Sequence, residues 1–196
     1  MYPKARLDAL SDSIFGVAMT LLVLELALPD EFHPKTSQEL IDALIGLLPK
    51  FSAYALSFGV LGLRWLANVQ MRHKAEYVDR SYGMWWMAYH LMVTCLPFST
   101  MVISRYVSLP PAVWLYAANT LLLAALSLRL LALTPEPESR ESVTDRSVSL
   151  WVLIATSVLA IGWSLIDAAQ AMWALCLNFL QPLVSRWFRR KTRKTN

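Results

Sequence analysis

The chain of 196 residues has the length of one domain, but its composition excludes a soluble globular protein. Hydrophobic residues make up 56% of the sequence and charged residues only 16%, whereas soluble domains carry about 25% charged residues. The formal net charge of +4 is not accompanied by a soluble basic face with stacking aromatic residues, so no nucleic-acid partner is expected. This balance favours helices embedded in a membrane.

Six apolar segments in chain order predict six transmembrane helices, because a helix needs about 20 apolar residues to cross the hydrocarbon core. The first two carry isolated charges, Asp12 and Glu25 in the first and Arg64 in the second. The predicted fold class is an all-α integral membrane protein, a single domain over 1–196 that ends in a basic tail at 186–196. The approximate spans are 7–28, 50–71, 82–104, 109–132, 147–166 and 168–185.

The distribution of basic residues predicts the orientation of these helices. Of the 18 lysines and arginines, 15 lie before the first span, in or beside the loops after the second and fourth spans, or after the sixth. Cytoplasmic loops carry an excess of Lys and Arg, so we expect a multi-pass protein of the plasma or inner membrane with both termini cytoplasmic. The basic tail then meets anionic headgroups, which makes membrane lipids expected partners.

Two connections have local signatures. Thr36-Ser37-Gln38-Glu39 is a capping box, and the apolar residues after it share one helical face, which predicts a short interfacial helix ending before Pro49. Only Asp167 separates the last two spans, which predicts a tight hairpin.

The first span differs from the others because it carries a carboxylate, Asp12, several residues inside its apolar run. An ionised group at that depth is costly unless it faces a bundle interior or water and finds a partner. Arg6 is six residues away, a poor spacing for direct pairing within one helix. We therefore expect Asp12 to pair with a neighbouring helix or subunit, and Ser11 to add a hydrogen bond.

The same span carries a narrow stripe of residues at helical spacing. On a membrane helix such a stripe is most often a packing face, with Val23 on the opposite side as a further packing position. A pore helix shows the same pattern, since rings of apolar side chains can gate by dewetting. The stripe consists of Ser13, Val17, Thr20, Leu21, Leu24 and Leu28.

The motif Arg6-x-x-x-Leu10-Ser11-Asp12, followed by the run 14–25, resembles the first-helix signature of the transmembrane protein 175 family of lysosomal and bacterial potassium leak channels. Leu10 stands where the family has Phe. Weaker similarity covers the rest of the chain, and Asn68 stands where many members have His.

The resemblance implies a potassium-selective leak channel, a homotetramer of six-helix subunits in which the first helix of each subunit lines a central pore. It implies no cofactor, and K⁺ is the permeant ion. The sequence has no Thr-Val-Gly-Tyr-Gly filter, so selectivity is not expected from stacked carbonyls. By position, the pore and constriction residues are Val17, Thr20, Leu21 and Leu24, and the polar network at the cytoplasmic end is Arg6, Ser11 and Asp12.

The same residues are compatible with other functions to different degrees. A proton-conducting channel or a small secondary transporter is the alternative, and a non-conducting scaffold is the plainest one. An intramembrane enzyme would need Ser99 or Cys95 with His90, but the spacing is poor and a Gly-x-Ser-x-Gly elbow is absent, so no catalytic residue is predicted. Metal binding by His33, His73 and His90 is not expected either, because the loops place His33 and His73 on opposite sides.

Overall fold

The computed structural model describes residues 1–29, 31–70, 76–134 and 140–180. Most of them are helical, and the two short strands pair with each other. The helices are α1 (Lys4–Leu22), α2 (Ser37–Gly46), α3 (Leu48–Gln70), α4 (Arg80–Arg105), α5 (Pro110–Leu133), α6 (Arg140–Ser164) and α7 (Ala168–Cys176); 3-10 turns follow α1 (Val23–Glu25) and α7 (Leu177–Leu180), and the strands are β1 (Tyr2–Pro3) and β2 (Tyr77–Val78).

Within the described ranges, four helical segments are long and apolar enough to cross a membrane: Lys4–Glu25, Arg80–Arg105, Pro110–Leu133 and Arg146–Ser164. A fifth is formed if α2 and α3, which meet at a 44° bend, count as one span. The fold is therefore a multi-pass helical membrane protein, as predicted, but the described residues supply four to five spans instead of the six expected. The sixth expected span, 168–185, is described only to residue 180, and the tail at 186–196 lies outside the described residues.

Side-chain caps determine where several helices begin. The amide of Glu39 donates to Oγ1 of Thr36 at 3.2 Å, which confirms the capping interaction at α2. Asp79 and Asp167 accept in the same way at α4 and α7. Pro49 explains the break before α3, because it lacks an amide proton and its ring opposes a continuous helix, yet fits the first turn.

The core forms around α4, which packs against α1, α3 and α5, while α6 packs against α5 and α7. Large side chains at its centre are fully buried, among them Phe15 and Leu22 of α1 and Tyr89 and Leu96 of α4. α4 continues through Pro97 without a break. The first helix therefore rests on a packed scaffold.

Hydroxyl groups connect this scaffold inside the bundle. Thr100 donates to Ser57 at 2.7 Å, and Ser57 donates to the hydroxyl of Tyr116 at 3.1 Å, which links α4, α3 and α5. Oγ1 of Thr120 and Oγ of Ser157 are 2.9 Å apart across α5 and α6. Hydrogen bonds of this kind hold membrane helices together where the hydrophobic effect does not.

The start of α1 is tied to the connection between α3 and α4. β1 pairs antiparallel with β2, and the amide of Lys4 donates to the carbonyl of Glu76 at 2.9 Å. The ring of Tyr2 lies over Gly83, where an added Cβ would come within 3.0 Å of Cε2. These contacts fix the N-terminal end of α1 against α4.

Candidate functional site: the first helix and its polar supports

One face of α1 is buried against the rest of the protomer. Ser11, Phe15, Ala18 and Leu22 follow spacings of four, three and four residues, so they lie on one side of the helix. Phe15 contacts the rings of Tyr89 and His90 on α4. This face is the packing face of the helix.

The predicted pore residues lie away from that face. Val17 is 58% exposed, Leu21 45% and Leu24 67%, and Thr20 is exposed as well. The surface between Val17, Leu21 and Thr94 of α4 is a shallow apolar groove. The protomer thus leaves the stripe open over more than two helical turns, apart from Leu28, which lies beyond the helix.

Two hydroxyl groups interrupt the apolar side. Oγ1 of Thr20 donates to the carbonyl of Val17 at 2.8 Å, and Oγ of Ser13 donates to the carbonyl of Ala9 at 3.1 Å. A hydroxyl oxygen that donates its proton to the backbone keeps its lone pairs available. Thr20 therefore presents an oxygen to whatever occupies the space beside α1.

Ser11 is joined to α4 through His90. Oγ of Ser11 lies 2.8 Å from Nε2 of His90, and Nδ1 of His90 lies 2.8 Å from the carbonyl of Trp86. A carbonyl only accepts, so Nδ1 carries the proton, and in the neutral ring Nε2 accepts from Ser11. Both side chains are buried. The sequence predicted a hydrogen bond for Ser11 but not its partner on α4.

Asp12 is joined to α3, whereas Arg6 bonds through its side chain to no described residue of α3 or α4. Nε1 of Trp65 donates to Oδ1 of Asp12 at 2.9 Å. The Arg6 side chain is exposed and makes neither a hydrogen bond nor an ion pair with the residues that the structure describes. The ion pair near this end of α1 is Lys4–Asp8, at 2.6 Å. The structure therefore brings Ser11 and Asp12 to neighbouring helices and leaves Arg6 outside their contacts within the protomer.

Two arginines extend the polar region behind α1. Arg64 is 3% exposed and donates from Nη2 to Oγ of Ser149 on α6. Nη2 of Arg146 donates to Oδ1 of Asn68 at 2.8 Å. A cavity of about 40 Å³ adjoins Arg146, Asn68 and His90, which is large enough to hold water. The charge of Arg64 inside an apolar span was the sequence signal for this region.

Ser99 and His90, which were considered for catalysis or metal binding, make hydrogen bonds inside the helix bundle. Ser99 donates to the carbonyl of Leu96, and His90 is held by Ser11 and Trp86. The part of the chain that the structure describes contains no group of three metal-binding side chains, and His73 lies outside it. Cys95 and Cys176 are free thiols.

These features define a multi-pass helical membrane protein whose first helix lies at the edge of the protomer with an open apolar side. The family model described as "Endosomal/lysosomal potassium channel TMEM175" matches residues 6–97, which include nearly all of α1, the whole of α2 and α3, and the first two thirds of α4. Over these residues, just under half of the chain, the protein is similar to the TMEM175 family.

Named relatives are ion channels. A potassium channel from Chamaesiphon minutus is 30% identical over 107 residues, covering 55% of this chain and 52% of the relative. A potassium channel from Streptomyces collinus is 30% identical over 106 residues, 54% and 50% of the two chains. The human endosomal/lysosomal proton channel TMEM175 is 31% identical over 86 residues, 41% of this chain and 17% of that protein. The matches thus span about half the length of the bacterial relatives.

The fold has a solved counterpart. The crystal structure of a lysosomal potassium-selective channel TMEM175 homolog from Chamaesiphon minutus superimposes with a TM-score of 0.75 at 24% identity, covering 92% of this chain and 97% of that chain. At this identity the superposition establishes the fold. It extends beyond the residues matched by sequence, into the second half of the chain.

Proposed function

We propose that the protein is a potassium-selective leak channel in which copies of α1 from several subunits line a central pore. The observation that carries the proposal is the open side of α1, where Val17 is 58% and Leu24 67% exposed while Phe15 and Leu22 are buried. A helix held firmly on one face and bare on the other is suited to line a shared space between subunits.

The proposed constriction consists of apolar rings from Val17, Leu21 and Leu24, one side chain from each subunit. Narrow apolar rings lose water and so impede ions. Val17 would form the narrowest ring. Thr20 supplies a hydroxyl layer between the rings, where an oxygen can replace part of the hydration shell of an ion.

Backbone carbonyls are poor candidates for a filter in such a pore. α1 is continuous from Lys4 to Leu22, so its carbonyls accept helical hydrogen bonds. Selectivity for K⁺ would then depend on ring diameter and on the Thr20 hydroxyls. No cofactor takes part in this account.

The assembly we propose is a homotetramer, with Ser11, Asp12 and Arg6 bracing the cytoplasmic end of the pore. Ser11 and Asp12 already anchor α1 to α4 and α3. Arg6, exposed in the protomer, is available to a neighbouring subunit. Both termini would lie in the cytoplasm, with the protein in the plasma or inner membrane.

Proton conduction is the second candidate, because the human relative is named a proton channel. Asp12 and His90 are titratable groups near the N-terminal half of α1, but they contact Trp65 and Ser11 rather than each other. A small secondary transporter is a further alternative, although unbroken α4 offers no discontinuous helix for a substrate site.

Ion flux into liposomes that hold the purified protein tests the proposal. We expect a K⁺ gradient to drive a larger ion flux than a Na⁺ gradient of the same size, without any added energy source. Flux that follows an imposed pH gradient and is indifferent to K⁺ would instead establish proton conduction. If neither K⁺ nor protons cross the membrane, the protein would be a non-conducting scaffold. Mass measurement of the detergent complex tests the tetramer.

A further inference from the structure

The C-terminal end of α1 carries an ion pair that the function proposed above does not use. Glu25 closes the 3-10 turn after α1, and its Oε2 lies 3.2 Å from Nη2 of Arg105 in the last turn of α4. The side chains remain 19% and 53% exposed, respectively. Glu25 directly follows the exposed Leu24 in the chain, so the pair lies at the end of the helical segment that carries the open side.

We propose that Glu25 and Arg105 set the electrostatic potential at one mouth of the pore, with Arg105 balancing the carboxylate. This rests on the proposed function, because it requires α1 to line the pore. Each subunit would bring one carboxylate and one guanidinium to the same mouth. While they are paired their fields nearly cancel, and neither attracts nor repels a cation strongly.

Removal of either partner exposes the field of the other. Uncompensated carboxylates at a narrow opening raise the local concentration of cations, and uncompensated guanidinium groups lower it. Arg105 keeps a second favourable interaction when Glu25 is neutralised, because a cation in the last helical turn is stabilised by the helix dipole of α4. An ion pair that is partly exposed contributes little to folding stability, so the pair is expected to affect conductance more than folding.

The test is the K⁺ conductance of purified protein in planar bilayers for Glu25→Gln, Arg105→Gln and the double variant. In about 10 mM KCl the Debye length is about 30 Å, and in about 1 M it is about 3 Å. At low salt, Arg105→Gln should raise the conductance at least about twofold and Glu25→Gln should lower it by a similar factor. The double variant should return close to the parent protein, and all differences should vanish at high salt.

The direction of current provides a second readout. Because the charges lie at one mouth, each single substitution should change the conductance more for K⁺ entering from that side. Asp42→Asn is the matched control, since this carboxylate is on α2 and accepts from Gln38 of the same helix. It should change neither conductance nor rectification.

The proposal is overturned if the single variants conduct like the parent at low salt, or differ from it equally at both salt concentrations, while Val17→Asn still alters the flux. If Val17→Asn has no effect either, the pore along α1 fails as well. Should Glu25→Gln not fold, Arg105→Gln and the reversal Arg105→Glu carry the same test, because Arg105 is the more exposed partner.

Discussion

Nε1 of Trp65 donates a 2.9 Å hydrogen bond to Oδ1 of Asp12, which joins α3 to the N-terminal half of α1. The indole meets only one carboxylate oxygen, and Asp12 remains exposed in the protomer. The carboxylate can therefore brace α1 within its own subunit and also face a neighbouring one. We therefore expect Asp12 to contribute mainly to the stability and assembly of the protein and less to ion selectivity.

Asp12→Ala should weaken assembly more than it changes ion selectivity. Trp65→Phe, which keeps the ring but removes the donor, should destabilise the protomer by about 1 kcal/mol. Thermal unfolding and size-exclusion chromatography in detergent measure both effects. Trp151→Phe is the control, since Trp151 is 61% exposed on α6. A normal oligomer of Asp12→Ala with unchanged thermal stability would refute the bracing role.

Ser11→Ala should destabilise the protein by about 1–3 kcal/mol, because it leaves the buried Nε2 of His90 without a donor. Ser11→Thr should retain most of the stability if the added methyl group fits. Ser13→Ala is a close control two residues on, because Oγ of Ser13 is exposed and bonds only its own helix. Chemical or thermal unfolding gives the comparison. Equal stability of Ser11→Ala and Ser13→Ala would show that the link between α1 and α4 contributes nothing.

Gly59→Ala should destabilise the packing of α3 against the C-terminal 3-10 turn. An added Cβ would come within 2.6 Å of Cε1 of Phe179, at a cost of about 1–3 kcal/mol that exceeds the gain in helix propensity of up to about 1 kcal/mol. In a Phe179→Ala background the sign should reverse, since the clash is gone. Gly62→Ala, where the nearest atom is Met19 Cε at 3.9 Å, should be neutral or stabilising. Melting temperatures of the four variants test whether the clash with the Phe179 ring causes the destabilisation. If Gly59→Ala still destabilises the protein in the Phe179→Ala background, the clash is not the cause.

The sequence predicted those features that depend on length and local chemistry. A helical membrane fold followed from the length of the apolar runs, and the cap at Thr36 followed from the order of residues around it. The first helix ends earlier than the expected residue 28, with α1 closing at Leu22 and a 3-10 turn at Glu25. Val23 is 48% exposed, because the buried face of α1 runs through Ser11, Phe15, Ala18 and Leu22, so Val23 is not a packing position within the protomer.

The partners across helices were not predictable from one sequence. Ser11 contacts His90 from 79 residues away, and Asp12 contacts Trp65 from 53 away. Such pairs depend on the order and rotation of helices around α4, which periodicity within one span does not encode. His90 was visible as a lone polar residue in an apolar run, a sign that it needs a partner inside the bundle. The identity of that partner required the fold.

The open side of α1 is proposed to face a pore, and Val17→Asn changes the narrowest part of that pore. A polar ring should hold water at the constriction, so K⁺ flux should rise and discrimination against Na⁺ should fall. Val158→Asn is the matched control, because Val158 is 56% exposed on α6 and should affect insertion or stability without raising flux.

The deciding measurement is therefore K⁺ and Na⁺ flux into liposomes that hold equal amounts of parent protein, Val17→Asn or Val158→Asn. We expect a higher K⁺ flux and a lower K⁺ to Na⁺ ratio for Val17→Asn alone. Equal behaviour of the two variants, both less stable and neither with raised flux, would contradict it and make the stripe on α1 an ordinary packing or lipid-facing surface.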